Sequence, residues 1–268
     1  MTVQRPPSSF VVALGLFSIL PVRPVASIDR PTATRAMAWF PFVGLVVGGM
    51  AGVVLGVVSW LGGALLGAVL GVATLAWLTG ALHLDGVADT ADGLGSRQSP
   101  ERALAIMRRS DIGPMGVVVL LFVVLADIAA LARLSTIGPL IGALAIAMAA
   151  VLGRVAVVLA TVGTPEGARP DGFGALFHGV TSPATAALWV VGGGAAAGGA
   201  GWAVAGLPGG AVFVGAGVAA LGVGLWWRAH LRRRLGGLTG DTFGSIIEVV
   251  QCVFLIAVTL AFGAVAGQ

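Results

Sequence analysis

Apolar stretches that are long enough to cross a bilayer, or nearly so, recur seven times, at about 39–61, 63–82, 113–134, 139–163, 184–205, 208–227 and 248–266. Roughly 20 residues are needed for one crossing. Two kinds of connection alternate between them. Gly62, Ser135 to Gly138 and Gly206-Leu207 read as tight turns. The segments 1–38, 83–112, 164–183 and 228–247 are longer and polar. Threading seven spans puts every long segment on one side and every tight turn on the other. A further apolar run, Phe10 to Leu20, follows Arg5 and is too short to span. It resembles a signal-peptide core with Val25-Ala26-Ser27 as a weak cleavage site, but Pro21-Val22-Arg23-Pro24 is a poor approach to one. We read it as a retained interfacial or re-entrant segment. The pattern predicts an all-α, polytopic membrane bundle of about seven helices, one domain over 1–268. Gly48-Gly49 with Gly52 and Gly56, and Gly192 to Gly194, are expected to be helix-packing faces, since small residues let helices approach closely in lipid.

Composition agrees. Hydrophobic residues make up 57% of the chain, charged residues 10%, and mean hydropathy is +1.02, whereas soluble domains carry about a quarter charged residues. Every basic residue is Arg, and 13 of the 15 lie on the side of the long segments, the exceptions being Arg133 and Arg154. By the positive-inside rule that side is cytoplasmic. The pI near 11.2 follows from these arginines and does not indicate nucleic acid, because no basic–aromatic interleaving accompanies it. The single cysteine, Cys252, excludes an intrachain disulfide and a thiolate metal site. A homo-oligomer is compatible with the sequence.

The candidate chemistry sits at span ends on that side. His83-Leu84-Asp85-Gly86-Val87-Ala88-Asp89-Thr90-Ala91-Asp92-Gly93 sets carboxylates at i, i+4 and i+7, within about 60° of arc on a helix. Like charges so spaced repel unless a cation lies between them, and an oxygen-only set suits a hard ion such as Mg²⁺. His83, opposite on the wheel, would donate to a phosphate, orient an Asp, or simply sit at the interface. Ser99-Pro100-Glu101 reads as a helix start. Arg102 and Arg109 share a face with Arg108 nearby, an arrangement suited to phosphate or to plain positive-inside charge. The glycine-rich run Gly236 to Gly244 contains Thr239, Gly240 and Asp241, with Glu248 at i+7 from Asp241. Such a turn lets backbone approach an anion while Asp241 ligates metal. Asp127 and Arg154 are intramembrane charges, for which an ion pair with one another is the favoured reading of Asp127. Arg169 to Gly174 has the composition of a phosphate-side lid. With no Lys there is no Walker A loop, and there is no H-E-x-x-H zinc motif.

These residues resemble the adenosylcobinamide-GDP ribazoletransferase family, the membrane-bound cobalamin synthases. The likeness covers His83 to Gly93, Glu101-Arg102, Ile106 to Arg108, Phe40-Pro41 with Gly44, Ala168-Arg169 with Gly172 and Gly174, Leu20-Pro21-Val22, and Gly236 to Asp241 with Gly244 and Glu248. It departs where the family reads Asp-Ser-Arg and this chain reads Arg109-Ser110-Asp111, exchanging the charges, and at acidic Asp127. The resemblance implies Mg²⁺-dependent transfer from adenosylcobinamide-GDP to the 5′-hydroxyl of α-ribazole, or its 5′-phosphate, with release of GMP. Asp85, Asp89, Asp92, Asp241 and Glu248 would hold metal. Arg102, Arg108, Arg154 and Arg169, with His83, Thr239 and Gly240, would meet substrate. Competing readings are a CDP-alcohol phosphotransferase, whose Asp-Gly-x-x-Ala-Arg motif is not matched, and an ion-coupled transporter using Asp127 and Arg154.

Overall fold

The computed structural model describes residues 8–23, 28–163, 167–168 and 173–266. Val25-Ala26-Ser27, Arg169, Asp171 and Gly172 lie outside the described residues. Ten helices follow one another: α1 (Ser9–Phe17), α2 (Arg30–Ala38), α3 (Phe40–Gly62), α4 (Ala64–Leu78), α5 (Leu82–Gly95), α6 (Pro100–Ile106), α7 (Pro114–Ile137), α8 (Pro139–Ala160), α9 (Pro183–Leu235) and α10 (Gly240–Ala266). A short 3-10 turn, Phe173–Phe177, precedes α9. Proline stands at the first or second helical position of α2, α3, α6, α7, α8 and α9, where its missing N–H costs no hydrogen bond and its fixed φ favours the helix.

Five of these helices are long and apolar enough to cross a membrane. One of them, α9, has 53 residues, about 80 Å at 1.5 Å per residue against a hydrocarbon core of about 30 Å. It doubles back at Ala205 (φ −147°) and Gly206 (φ +61°), so Gly201 of the first arm lies against the backbone of Gly209, and Gly198 against Val214. The two arms are the apolar stretches 184–205 and 208–227, and Gly206 is the required left-handed residue of the turn.

Two sequence expectations change. The stretch 63–82 is not one straight span: α4 has 15 residues, about 22 Å, and the chain then turns by 89° into α5. Gly80 (φ +61°) and Ala81 (φ +57°) make that turn. A left-handed alanine costs roughly 1–2 kcal/mol, so surrounding structure must hold it. The N-terminal segment helps: the Ile19 amide donates to the end carbonyl Leu78 O at 2.9 Å, a group the helix itself leaves unpaired. The polar segment 228–247 is also mostly helix, because α9 runs to Leu235 and α10 begins at Gly240.

Helix α8 is the axis of the bundle: 83% of its apolar window is buried, against 22% for α7. Its alanines make this possible. Gly44, Gly48 and Gly52 of α3 pack on Ala150, Ala147 and Ala143 of α8 so closely that no Cβ would fit. A repeat of small residues every four positions brings two backbones together where lipid offers no hydrophobic drive for association. Gly49, Gly192 and Gly194 face open space, so only part of each expected glycine face is a packing face.

Candidate active site

The site forms where α5 meets α10. Both helices need glycine to do so. Gly86 lies against the backbone of Asp241, and Gly244 against the backbone of His83 and Gly86. The motif at 83–93 and the glycine-rich run 236–244, about 150 residues apart, thereby share one location. Asp85 is exposed on α5, with Asp89 one turn on and half-buried. Asp241 is half-buried in the first turn of α10.

The run 236–244 is a helix stop followed by a helix start. Gly236, in left-handed conformation (φ +75°), ends α9. Thr239 then caps α10: its amide donates to Thr242 Oγ1 at 2.7 Å, and its own Oγ1 accepts from the Thr242 amide and donates to Asp241 Oδ2, both at 3.3 Å. This reciprocal pairing satisfies amides that a helix start leaves open. It makes Thr239 a positioner of Asp241. Gly174 packs on the backbone of Thr239 and Gly240, and the Ala168 amide donates to Leu238 O at 3.0 Å. Ala168 and Gly174 of the 164–183 segment are thus fastened to the same turn.

Asp92 has a different job from its two neighbours. Its Oδ2 accepts from the Gly113 amide at 2.6 Å and its Oδ1 from the Gly116 amide at 2.8 Å. It caps α7 from another helix, where a carboxylate is favoured by both the open amides and the helix dipole. Gly113 and Gly116 leave the room it needs. Asp92 is thus a cap on α7 as well as a member of the expected triad, and each of its oxygens keeps a further lone pair. Among the described residues no three His, Cys, Asp or Glu side chains converge tightly enough to hold an ion unaided. The donors present at this rim are hard carboxylate oxygens, which fit Mg²⁺ sharing its shell with waters and substrate phosphate.

Below the rim lies a second, dry cluster. Arg154 of α8 is fully buried. Its Nη1 donates to Gln251 Oε1 at 2.9 Å and to Ala150 O at 3.1 Å, and its Nη2 lies 3.3 Å from His83 Nδ1. A guanidinium only donates, so Nδ1 is the acceptor. Glu248 Oε1 is 3.8 Å from the same Nδ1. Three sequence expectations are revised here. Arg154 is enclosed rather than turned to a phosphate. Glu248 lies seven residues beyond Asp241, about 10 Å along α10, and pairs inward. His83 faces this cluster rather than the rim. Nor do Arg154 and Asp127 form the expected pair: Asp127 is buried, and its Oδ1 has no hydrogen-bond partner among the described residues. Gln251 was not anticipated from sequence, although its i+3 spacing from Glu248 is the available signal.

Arg102, Arg108 and Arg109 are exposed. Ser99 and Pro100 begin α6 as expected, and α6 folds back on α5 with Met107 and Ala103 over Gly93. The arginines therefore stand at the far end of α5 from Asp85. Arg102 Nη1 donates to Gln98 Oε1 at 3.3 Å.

The cobalamin-5-phosphate synthase family model matches residues 9–259. Relatives named adenosylcobinamide-GDP ribazoletransferase include a Frankia casuarinae protein, 41% identical with 92% of this chain and 93% of that protein aligned. A Shigella flexneri protein is 38% identical, with 92% of this chain and 98% of the relative covered. An Escherichia coli protein is 37% identical over the same shares. No solved structure matches the chain.

Proposed function

The chain belongs to the cobalamin-5-phosphate synthase family, and we propose that it joins adenosylcobinamide-GDP to α-ribazole or α-ribazole 5′-phosphate, releasing GMP. The observation that carries this reading is the contact of Gly86 with Asp241. It gathers carboxylates from two helix ends at one rim, as attack on a diphosphate requires. The family description names a 5-phosphate product. A 5′-phosphate that survives the reaction leaves no 5′-hydroxyl to attack, so the nucleophile is a secondary ribose hydroxyl, in place of the 5′-hydroxyl expected from the resemblance.

Asp85, Asp89 and Asp241 would hold Mg²⁺. Bound there, the ion would neutralise the diphosphate and act as Lewis acid and template. Thr239 fixes Asp241 by capping the turn that carries it. The amides of that turn, with Gly240 free of any side chain, offer donors to phosphate oxygens. Arg102 and Arg108 lend positive charge at the far end of α5. The dry cluster of His83, Arg154, Glu248 and Gln251 holds the start of α5 against α8 and α10. The rim faces the cytoplasm if the arginine distribution sets orientation. A transporter would need a path through the dry cluster, but the cavity beside Asp127, Glu248 and Gln251 is about 20 Å³, room for about one water.

The test is transfer by purified protein given adenosylcobinamide-GDP and α-ribazole, with and without Mg²⁺. Mg²⁺-dependent appearance of the joined product and of GMP supports the reading. No product at any Mg²⁺ concentration sinks it.

A further inference from the structure

A cavity of about 130 Å³ opens beside Asp241 and touches the two polar clusters only through Asp241 and His83. Its wall is mostly apolar, with four phenylalanines beside Met37, Leu82, Val157 and Ile247. Phe40, Phe17 and Phe177 form a continuous edge, with ring centroids 4.2 Å apart for Phe17–Phe40 and 5.6 Å for Phe17–Phe177. Phe243 lines it from α10 and Val157 from α8. All five side chains are buried. The polar members of the wall, His83, Gly240 and Asp241, come from the two helix starts that build the site. The lining comes from α1, α2, α3, α5, α8, α10 and the 3-10 turn. The N-terminal segment, read from sequence only as an interfacial piece, therefore supplies a wall.

The size is informative. An apolar cavity of roughly 150 Å³ lined by Leu, Ile and Phe stays dry and takes up benzene. Small-molecule sites are typically apolar and aromatic, with a few polar groups at one edge that fix orientation. A space of this volume, lined by phenyl rings and bordered by a carboxylate of the reaction site, suits one aromatic ring whose polar attachment leaves towards Asp241.

We propose that this cavity is the subsite for the base of the acceptor nucleoside: the benzo ring of a benzimidazole base enters between Phe17, Phe177 and Phe243, and the ribose extends towards Asp241. The proposal rests on the transfer reaction given above. It assigns acceptor recognition to Phe17, Phe40, Phe177, Phe243 and Val157. The donor's diphosphate is left to the rim, so binding of the two substrates is separable by mutation.

Val157→Phe fills the cavity and Phe177→Ala enlarges it. Full-length wild-type and variant proteins would be purified in the same detergent and checked for folding by thermal unfolding. The KM for α-ribazole and for adenosylcobinamide-GDP would then be measured separately, alongside equilibrium binding of free benzimidazole without donor. Val157→Phe is expected to raise the α-ribazole KM at least tenfold, leave the donor KM within twofold, and abolish benzimidazole binding. Phe177→Ala is expected to improve use of a larger, naphtho-fused acceptor base relative to α-ribazole, a gain that misfolding cannot mimic. An unchanged acceptor KM and unchanged benzimidazole binding in Val157→Phe, or no gain with the larger base in Phe177→Ala, overturns the subsite. A complete absence of transfer by wild-type protein counts instead against the reaction itself, and benzimidazole binding then still reports on the cavity.

Discussion

Helices α5 and α10 carry two charged clusters that differ in almost everything but their address. At the rim, Asp85 is exposed and Asp89 and Asp241 are half-buried, with hard oxygens gathered from both helix starts. Deeper in the bundle, His83, Glu248, Gln251 and the α8 guanidinium of Arg154 are buried together, with Arg154 bonded to Gln251 and His83 and Glu248 3.8 Å from His83 Nδ1. The rim's carboxylates reach water, and holding a cation there is the role proposed for them. The interior cluster brings its own cation and has no room for another ligand. The same residue types thus do opposite work. Carboxylates at a wet edge suit the proposed binding role, whereas a charged set in a dry core fixes geometry.

The comparison breaks most visibly at Arg154. Arg154→Leu leaves Gln251 and His83 without their shared donor and buried Glu248 without the nearby cation. Loss of one partner from a buried charged set costs about 3–5 kcal/mol, so thermal unfolding in detergent should show a large drop in midpoint. Activity should fall only with the folded fraction. A variant of normal stability with lost phosphate binding would return Arg154 to the substrate.

Rim substitutions should do the reverse. Asp85→Asn, Asp89→Asn and Asp241→Asn are each expected to lower kcat/KM at least 100-fold, about 2.7 kcal/mol of barrier, with an unfolding midpoint close to wild type. Near-normal rates in all three at modest Mg²⁺ would show that the rim does not hold the ion.

Asp92 sharpens the boundary between the two behaviours. Asp92→Ala removes the cap on α7, worth about 0.5–2 kcal/mol. It should appear mainly as lost stability and only secondarily as lost rate. A rate loss equal to that of Asp85→Asn with unchanged stability would restore Asp92 to the ligand set.

The smallest effect concerns pH. Burial, and then the nearby Arg30, hold the His178 imidazole below the ordinary histidine range. Arg30 Nη2 also donates to His178 O at 2.7 Å. A base with a depressed folded pKa contributes stability above its unfolded pKa of about 6.5 and loses it as pH falls through the folded value. Acidification below about pH 6.5 should therefore lower the unfolding midpoint by a small amount, and His178→Gln should flatten that slope. An identical pH profile in the variant would assign the acid sensitivity elsewhere.

The limits of the linear pattern are seen at particular residues. The run of small and apolar residues in α8 declared a helix, yet nothing local says that α8 rather than α7 is central. That depended on Gly44, Gly48 and Gly52 arriving from α3 to meet Ala150, Ala147 and Ala143. The i, i+4, i+7 spacing correctly put Asp85, Asp89 and Asp92 on one helix, but equal spacing concealed unequal roles. Asp92 is set apart by the amides of Gly113 and Gly116, more than twenty positions away. In the same way Glu248 reads as one ligand further along from Asp241, until the rise of the helix carries it out of reach and His83 and Arg154 close around it.

Sequence alone determined what short-range chemistry and the solvent impose. Hydropathy and length set the spans, since a membrane core tolerates little else. Proline and glycine marked helix starts and stops, arginine bias marked one side, and oxygen-rich motifs marked span ends. Tertiary structure alone decided which charges are wet and which are dry, which carboxylate caps a neighbouring helix, and that the N-terminal segment walls an apolar cavity. These are outcomes of packing between elements far apart in the chain. They turn on a single missing Cβ at Gly86 and Gly244, whose consequence appears only when the partner backbone is in place.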